Sequence, residues 1–358
     1  MKSLQYLLVP ITFPLSLIYG LLIFIRNKFY DWEWFPVSKF DIPIISVGNI
    51  TVGGSGKTPL VMYIATLLKK NGENPGIVSR GYGRKSQGII LVHDGKKLCT
   101  SVENAGDEPY LMASILQNIP IAVSEKRSSA IKELIDYYSV NIILLDDGYQ
   151  HRSVFRDLDL ITISANDKPM NYKLLPWGKL REPLKNVSRA DFAIFTKTDN
   201  YNPPQNFSII KPHLKDHPIY CTQQSILMKY DTSGYHKSLP PTQELFAFCG
   251  IGEPKSFFKS IGELELKIGG RRIFKDHQDY TKLVIKELTA QKNSSKCNAI
   301  ITTEKDLVKL PDKFLEKFEI YVIKVEMEIE SEGELIEYLQ NILEIYNKLP
   351  QHRNTITE

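Results

Sequence analysis

Between residues 4 and 25 the chain carries no charged side chain; Lys2 precedes the run, and Arg26 and Lys28 follow it. As a helix, such a run is long enough to cross a ~30 Å hydrocarbon core. Pro10 and Pro14, with the polar Gln5 and Tyr6 near its start, leave both a spanning helix and a kinked interfacial one open. No A-x-A-like cleavage site follows, which argues against a removed signal peptide. Tyr30, Trp32 and Trp34 suit the headgroup level of a bilayer. A helix buried in the protein's own core would show the same periodicity.

Beyond this run, short apolar stretches alternate with amphipathic ones. The pattern predicts strands at 44–47, 89–93, 121–123, 142–145, 158–163 and 192–196, and helices at 60–68, 108–116 and 128–138. Strands alternating with helices imply a mainly parallel sheet covered on both faces. Prolines at 203, 204, 212, 218, 240 and 241 then punctuate short β-like runs, the texture of a linker carrying a β-ribbon. A second α/β lobe begins near 245–250 and includes a strand at 299–302 and a terminal helix at 332–346. The expected organisation is an anchor helix at 1–28, a core lobe at 29–218, a ribbon at 219–242, a smaller lobe at 243–350 and a frayed tail at 351–358.

Composition narrows the function classes. The 358 residues carry 45 Lys+Arg against 41 Asp+Glu, a net charge of +4 that is too mild to argue for a nucleic-acid partner. Cys99, Cys221, Cys249 and Cys297 stand far apart with no C-x-x-C pair, which argues against a zinc site or a disulfide framework.

The sharpest chemical signal lies at 44–59, where an apolar strand runs into a glycine-rich loop ending in Gly56-Lys57-Thr58. Glycines let backbone N–H groups surround phosphate oxygens, a lysine reaches the β/γ-phosphates, and a hydroxyl serves Mg²⁺. Thr51, Val52, Gly53, Gly54, Ser55, Gly56, Lys57 and Thr58 therefore form a candidate nucleotide loop. Thr51 departs from the general pattern, which has glycine at that position. The strand at 142–145 delivers Asp146 and Asp147 to its C-terminal end, where a second Mg²⁺-organising element belongs in such a fold. Either carboxylate is the candidate. Asp107 opens a helix, where capping alone would account for it. The proline-bounded segment 176–183 (PWGKLREP) reads as a substrate or metal loop, and Arg80, Arg84, Lys126 and Arg127 supply positive charge for phosphates.

Together, SVGNITVGGSGKTP (46–59), SRGYGR (79–84), GDEP (106–109), LDDGYQH (145–151), PWGKLREP (176–183), FCGIGEP (248–254), FKDHQDY (274–280) and TTEKD (302–306) resemble the tetraacyldisaccharide 4'-kinase family, the lipid A 4'-kinases of Gram-negative bacteria. The resemblance spans most of the chain. It implies a P-loop NTPase-like α/β core with an N-terminal membrane helix and a smaller C-terminal lobe joined by a two-stranded ribbon. It further implies transfer of the ATP γ-phosphate, with Mg²⁺, to the 4'-hydroxyl of a tetraacyldisaccharide 1-phosphate. The implied setting is the bacterial inner membrane, with the catalytic lobes facing the cytoplasm and no obligate protein partner. Carried over by motif, Asp107 matches the base toward the sugar hydroxyl and His277 its dyad partner. Asp146, Asp147 and Glu182 match the acids around Mg²⁺ and ATP, and Arg127 and Arg181 match phosphate-side arginines.

Two other classes compete. A membrane-attached P-loop GTPase or regulatory ATPase is suggested by Thr196-Lys197-Thr198-Asp199, which resembles a guanine-reading element. Against it, Asp146-Asp147-Gly148 is one residue shorter than the D-x-x-G switch, and the second lobe would have no role. A non-catalytic membrane scaffold would tolerate changes at Lys57 or Asp107.

Overall fold

The computed structural model describes residues 2–198, 202–215, 218–231 and 234–348. The tail expected at 351–358 and Asp199 of the guanine-type element lie outside the described residues. Helix α1 (Lys2–Asp31) runs unbroken through Pro10 and Pro14 and ends three residues beyond the expected boundary. Its stretch Val9–Asp31 has a mean hydropathy of 1.8 and is only 6% buried, so it is no core helix. Ile11, Leu17, Ile18, Leu21 and Leu22 all face outward. It is long and apolar enough to cross a membrane.

One mixed sheet organises the rest. Its strands are β1 (Ile44–Asn49), β2 (Pro75–Ser79), β3 (Ile90–Asp94), β4 (Pro120–Val123), β5 (Ile142–Asp146), β6 (Leu158–Ser164) and β7 (Phe192–Thr198) in the first part. β8 (Ile219–Asp231), β9 (Gly234–Lys237), β10 (Leu245–Cys249), β11 (Ile268–Ile273), β12 (Ala299–Thr303) and β13 (Glu319–Ile329) follow. The order across the sheet is β11-β10-β12-β13-β8-β7-β6-β1-β5-β2-β4-β3, with β9 paired to β8. Pairing is parallel except at β8–β13, β8–β9 and β3–β4. β1, β5 and β6 are buried along their whole length; β5 accordingly reads as a continuous apolar run up to Asp146, whereas β6 (LDLITIS) buries polar residues between its apolar ones.

Within the ribbon expected at 219–242, β8 pairs antiparallel with β9 from Met228↔Lys237 to Asp231↔Gly234, and β8 also has partners distant in sequence. β8 pairs parallel with β7 and antiparallel with β13, from Ile320↔Tyr230 to Ile329↔Cys221, so the sheet continues through the join. The terminal helix Glu332–Lys348 departs from expectation. Its buried Leu335, Leu339, Ile342 and Leu343 pack with Ile45, Leu60, Leu158 and Ile194 of the first part of the chain, in a cluster that also takes in Met327 and Ile329 of β13. Phe192 meets Tyr338 edge to face, and the Tyr346 hydroxyl donates to Asp157 Oδ1 at 2.7 Å. Amphipathic spacing shows that a helix has an apolar face; it does not say which surface that face covers.

The candidate motifs gather where the two halves of the sheet, opposed in direction through the antiparallel β8–β13 pair, turn their C-terminal strand ends toward each other. The loops after β1, β2, β5, β7, β10, β11 and β12 all leave the C-terminal ends of parallel strands, where open α/β sheets bind ligands.

Candidate active site

Helix α2 (Lys57–Lys70) begins directly after the glycine-rich loop and buries Leu60, Val61, Ile64, Ala65 and Leu68 against the sheet. Gly56, its N-cap, has φ 82° and provides no side-chain cap. The first N–H groups of α2 are therefore left for an anion at the positive end of the helix. A Cβ at Gly56 would also lie 3.3 Å from Thr196 atoms, whose hydroxyl donates to the Ser55 carbonyl at 2.8 Å. Ser55 Oγ takes a hydrogen bond from Asn49 Nδ2 and shares another with Thr162, both at 2.8 Å, so this hydroxyl fixes the loop.

The structure accounts for Thr51. It bridges Leu180, its hydroxyl donates to Asp167 Oδ2 at 3.3 Å, and the flanking Val52 N–H donates to the Lys179 carbonyl at 2.8 Å. Thr51 is not among the positive-φ residues, so nothing at that position calls for glycine.

At the end of β5 the two aspartates separate in role. Asp146 is 1% exposed; its Oδ2 accepts from Ser79 Oγ at 2.8 Å while Oδ1 is buried with no partner. Burial, with the charges of Glu108 and Asp147, pushes its carboxyl up to about 7. Asp147 sits at φ 51° and turns toward cations: Arg181 Nη1 at 2.8 and 2.9 Å and Lys57 Nζ at 3.5 Å. Burial alone would raise Asp147, but Lys57 and Arg181 hold it below the ordinary range. The turn is tight. A Cβ on Gly148 would lie 2.7 Å from Ser46 Oγ, and one on Gly48 2.5 Å from Tyr149 Cβ.

The donor set fits Mg²⁺ in the way phosphate enzymes hold it. Among the described residues no group of three or more His, Cys, Asp or Glu side chains is placed to hold a metal. Mg²⁺ is commonly bound through one or two protein oxygens, completed by phosphate and water. The unpartnered Asp146 Oδ1 and the Thr58 hydroxyl on the first turn of α2 are such oxygens.

Glu182 does not join this cluster, and its expected metal role is corrected. It is wholly buried and accepts from Asn27 Nδ2 at 2.9 Å, Asn186 Nδ2 at 2.8 Å and Arg189 at 3.0 Å, with Arg26 at 3.8 Å. Burial favours its neutral form, but Arg189, Asn186, Asn27 and Arg26 together hold it below the ordinary range. The loop before it seats α1: Tyr19 donates to the Arg181 carbonyl at 2.7 Å, and Phe13 meets Trp177 edge to face at 5.1 Å.

Arg127 opens the helix Arg127–Tyr138, is 6% exposed, and keeps its Nε buried without a partner. Burial and the nearby Arg80 lower its affinity for its proton, while Asp147 and Asp146 oppose that effect. His151 lies in the same field. Burial, then Arg127, Arg156, Arg80 and Arg26, push it down to about 4, so it stays neutral near pH 7 among cations.

Asp107 is not a cap. Gly106 is the N-cap of the helix Asp107–Ile115 and no side-chain cap bond forms. Instead His277 Nδ1 reaches Asp107 Oδ2 at 3.0 Å across 170 residues of sequence. Burial would raise Asp107, but the His277 hydrogen bond and the charges of Lys309 and Lys305 hold it low. Glu108, adjacent to Asp107, contributes to raising Asp146, so the two acidic sites share one edge of the sheet.

Two contacts went unread in the sequence. Lys309 Nζ lies 3.2 Å from Asp107 Oδ2, and Lys305 Nζ lies 3.4 Å from Glu108. The available signal was their four-residue spacing, with Lys305 inside the 302–306 motif and Lys309 just beyond the short helix Glu304–Leu307. Lys197 of the guanine-type element donates to the Gly54 carbonyl and to Glu253 Oε2, both at 2.6 Å, and so braces the phosphate loop.

Comparison with known proteins agrees with this geometry. Residues 8–344 match the family model described as tetraacyldisaccharide-1-P 4'-kinase, LpxK. A tetraacyldisaccharide 4'-kinase of Desulfotalea psychrophila is 35% identical over 319 residues, covering 88% of this chain and 91% of that protein. One from Aquifex aeolicus is 37% identical over 297 residues, covering 83% and 88%. The crystal structure of the "apo" form of LpxK from Aquifex aeolicus in complex with ATP superposes with a TM-score of 0.76 at 32% identity, covering 95% of this chain and 99% of that one. The chain belongs to the tetraacyldisaccharide-1-P 4'-kinase family.

Proposed function

We propose that the protein transfers the γ-phosphate of ATP to the 4'-hydroxyl of tetraacyldisaccharide 1-phosphate, a step of lipid A biosynthesis. The observation that carries this reading is the pairing of Asp107, in the half of the sheet that bears the phosphate loop, with His277 from the half that faces it. A nucleotide switch needs no proton acceptor of this kind; a kinase acting on an alcohol has a use for one.

Phosphoryl transfer depends on positioning and charge neutralisation. The N–H groups of residues 53–58 would enclose the phosphates, and Lys57, Arg127 and Arg181 would face their oxygens. Thr58 and Asp146 would hold Mg²⁺, which supplies charge neutralisation on the phosphate oxygens. Asp147 keeps Lys57 and Arg181 aimed. Asp107 orients the 4'-hydroxyl and takes its proton as the hydroxyl oxygen bonds to the γ-phosphorus and the bond to the β-phosphate oxygen breaks, releasing ADP. His277, hydrogen-bonded to Asp107, fixes the carboxylate and shares the proton.

Helix α1 would hold the enzyme at the inner-membrane surface, its acceptor's acyl chains staying in the bilayer while the catalytic part faces the cytoplasm. The smaller lobe would be the segment from 243 to the start of β13, which has its own apolar cluster around Leu245, Phe257 and Ile301. The terminal helix belongs with residues 29–218, whose core it shares. The smaller lobe's segment carries His277, which meets Asp107 at 3.0 Å.

Steady-state transfer with detergent-dispersed acceptor tests the proposal. Asp107→Asn should lower kcat by about 10²–10⁴-fold with little change in KM for ATP. A variant as fast as the parent would remove Asp107 from the reaction.

A further inference from the structure

Lys309 joins Asp107 to the backbone next to His277. Its ammonium lies 3.2 Å from Asp107 Oδ2, the oxygen His277 also reaches, and 3.1 Å from the carbonyl of Gln278, the residue after His277. It lies 5.5 Å from the centre of the Tyr280 ring and 3.9 Å from Asp306 Oδ1. The side chain is only 5% exposed. A buried ammonium is costly unless its donors meet acceptors, so this lysine is no solvated surface charge.

We propose that Lys309 is a positioning residue for phosphoryl transfer: with His277 it occupies Asp107 Oδ2, keeps the carboxylate ionised, and leaves Oδ1 to the acceptor hydroxyl. The proposal rests on the reading of Asp107 as the proton acceptor. Oδ1 accepts no hydrogen bond among the described residues, while Oδ2 accepts two. Other charged and titratable groups around the carboxylate are engaged elsewhere. Lys305 pairs with Glu108 at 3.4 Å and approaches Asp276 at 3.9 Å, and Asp276 lies 3.9 Å from His277 Nε2. Asp306 accepts from the Tyr280 hydroxyl, the Gly250 N–H and Thr303. Tyr82 meets the His277 ring with centroids 5.5 Å apart. Lys309 is thus the lysine hydrogen-bonded to Asp107, with the charge of Lys305 acting from farther away. It also ties the carboxylate to the backbone that carries His277, whose φ of 54° needs such support.

The experiment compares the full-length parent in detergent with Lys309→Met and Lys309→Arg, measuring kcat and both KM values against pH. Lys309→Met is expected to lower kcat about tenfold or more with KM for ATP unchanged. Its acid limb should move to higher pH, because the carboxylate has lost its cation. Lys309→Arg should return the acid limb to that of the parent. An unmoved acid limb in Lys309→Met overturns the proposal, whether or not the rate falls, since packing alone would then be the role. A Lys309→Met variant with the parent's rate also overturns it. Should Lys309→Met fail to fold, infrared titration of the isotope-labelled Asp107 carboxylate decides between parent and Lys309→Gln. Coincident titrations overturn the proposal; a higher midpoint in Lys309→Gln supports it. A parent that binds ATP but does not phosphorylate the disaccharide sinks the kinase reading itself, a result distinct from any of these.

Discussion

Replacing Glu182 by glutamine separates an anchor from a metal ligand. The carboxylate is inaccessible and receives three hydrogen bonds, two from asparagines and one from Arg189, with Arg26 close by. Arg189 depends on it. Its Nε and Nη1 are buried without partners, and its guanidinium lies 4.7 Å from the centre of the Tyr149 ring. Glutamine keeps the shape but removes the charge and turns an N–H₂ toward donors. Summing about 1.5–3 kcal/mol for each charged hydrogen bond would overstate the loss, because the bonds share one group. Breaking a buried pair by neutralising one partner costs about 3–5 kcal/mol, and that is the expected destabilisation. Because Glu182 is held below its ordinary range, the stability it contributes is present above its unfolded-state pKa. It is lost as pH falls through the lower folded value, so parent and variant should converge in acid. The assay pairs denaturant unfolding with Mg²⁺ titration of activity. A Glu182→Gln protein of parental stability whose Mg²⁺ requirement rises steeply would refute the assignment and return the residue to the metal.

Two further perturbations follow from the same edge of the sheet. Gly48→Ala places a Cβ 2.5 Å from Tyr149 Cβ and 2.8 Å from its backbone nitrogen, so the 146–150 turn must shift; a loss of about 1–3 kcal/mol is expected, with reduced transfer, and an alanine variant of parental denaturant midpoint would contradict this. Lys197→Met removes the brace between the Gly54 carbonyl and Glu253, so KM for ATP should rise more than kcat falls; unchanged ATP affinity by titration calorimetry would count against the brace.

What the sequence made legible was local. β1, the glycine loop and α2 follow one another within a few residues, and each carries its own signal in apolar runs, glycines and i, i+4 spacing. Thr51 looked anomalous only because its partners, Leu180 and Asp167, are distant in sequence. The same limit hid Lys309, 202 residues from Asp107. Adjacent residues in an extended loop can face opposite ways, as Arg181 and Glu182 do, one on Asp147 and the other on α1. A motif therefore kept its place in the fold while one of its residues changed role. The terminal helix was read correctly as amphipathic and assigned to the wrong core, since periodicity carries no partner information.

The central claim is that one site joins the phosphate loop to the Asp107–His277 pair for transfer to a sugar hydroxyl. Incubation of the purified full-length protein with γ-labelled ATP, Mg²⁺ and detergent-dispersed tetraacyldisaccharide 1-phosphate, followed by mapping the labelled position in the product, tests it most directly. Label on the 4'-oxygen of the disaccharide, lost in Lys57→Ala and Asp107→Asn, is the predicted result. Label released only as inorganic phosphate, or a clear preference for GTP over ATP, would contradict it.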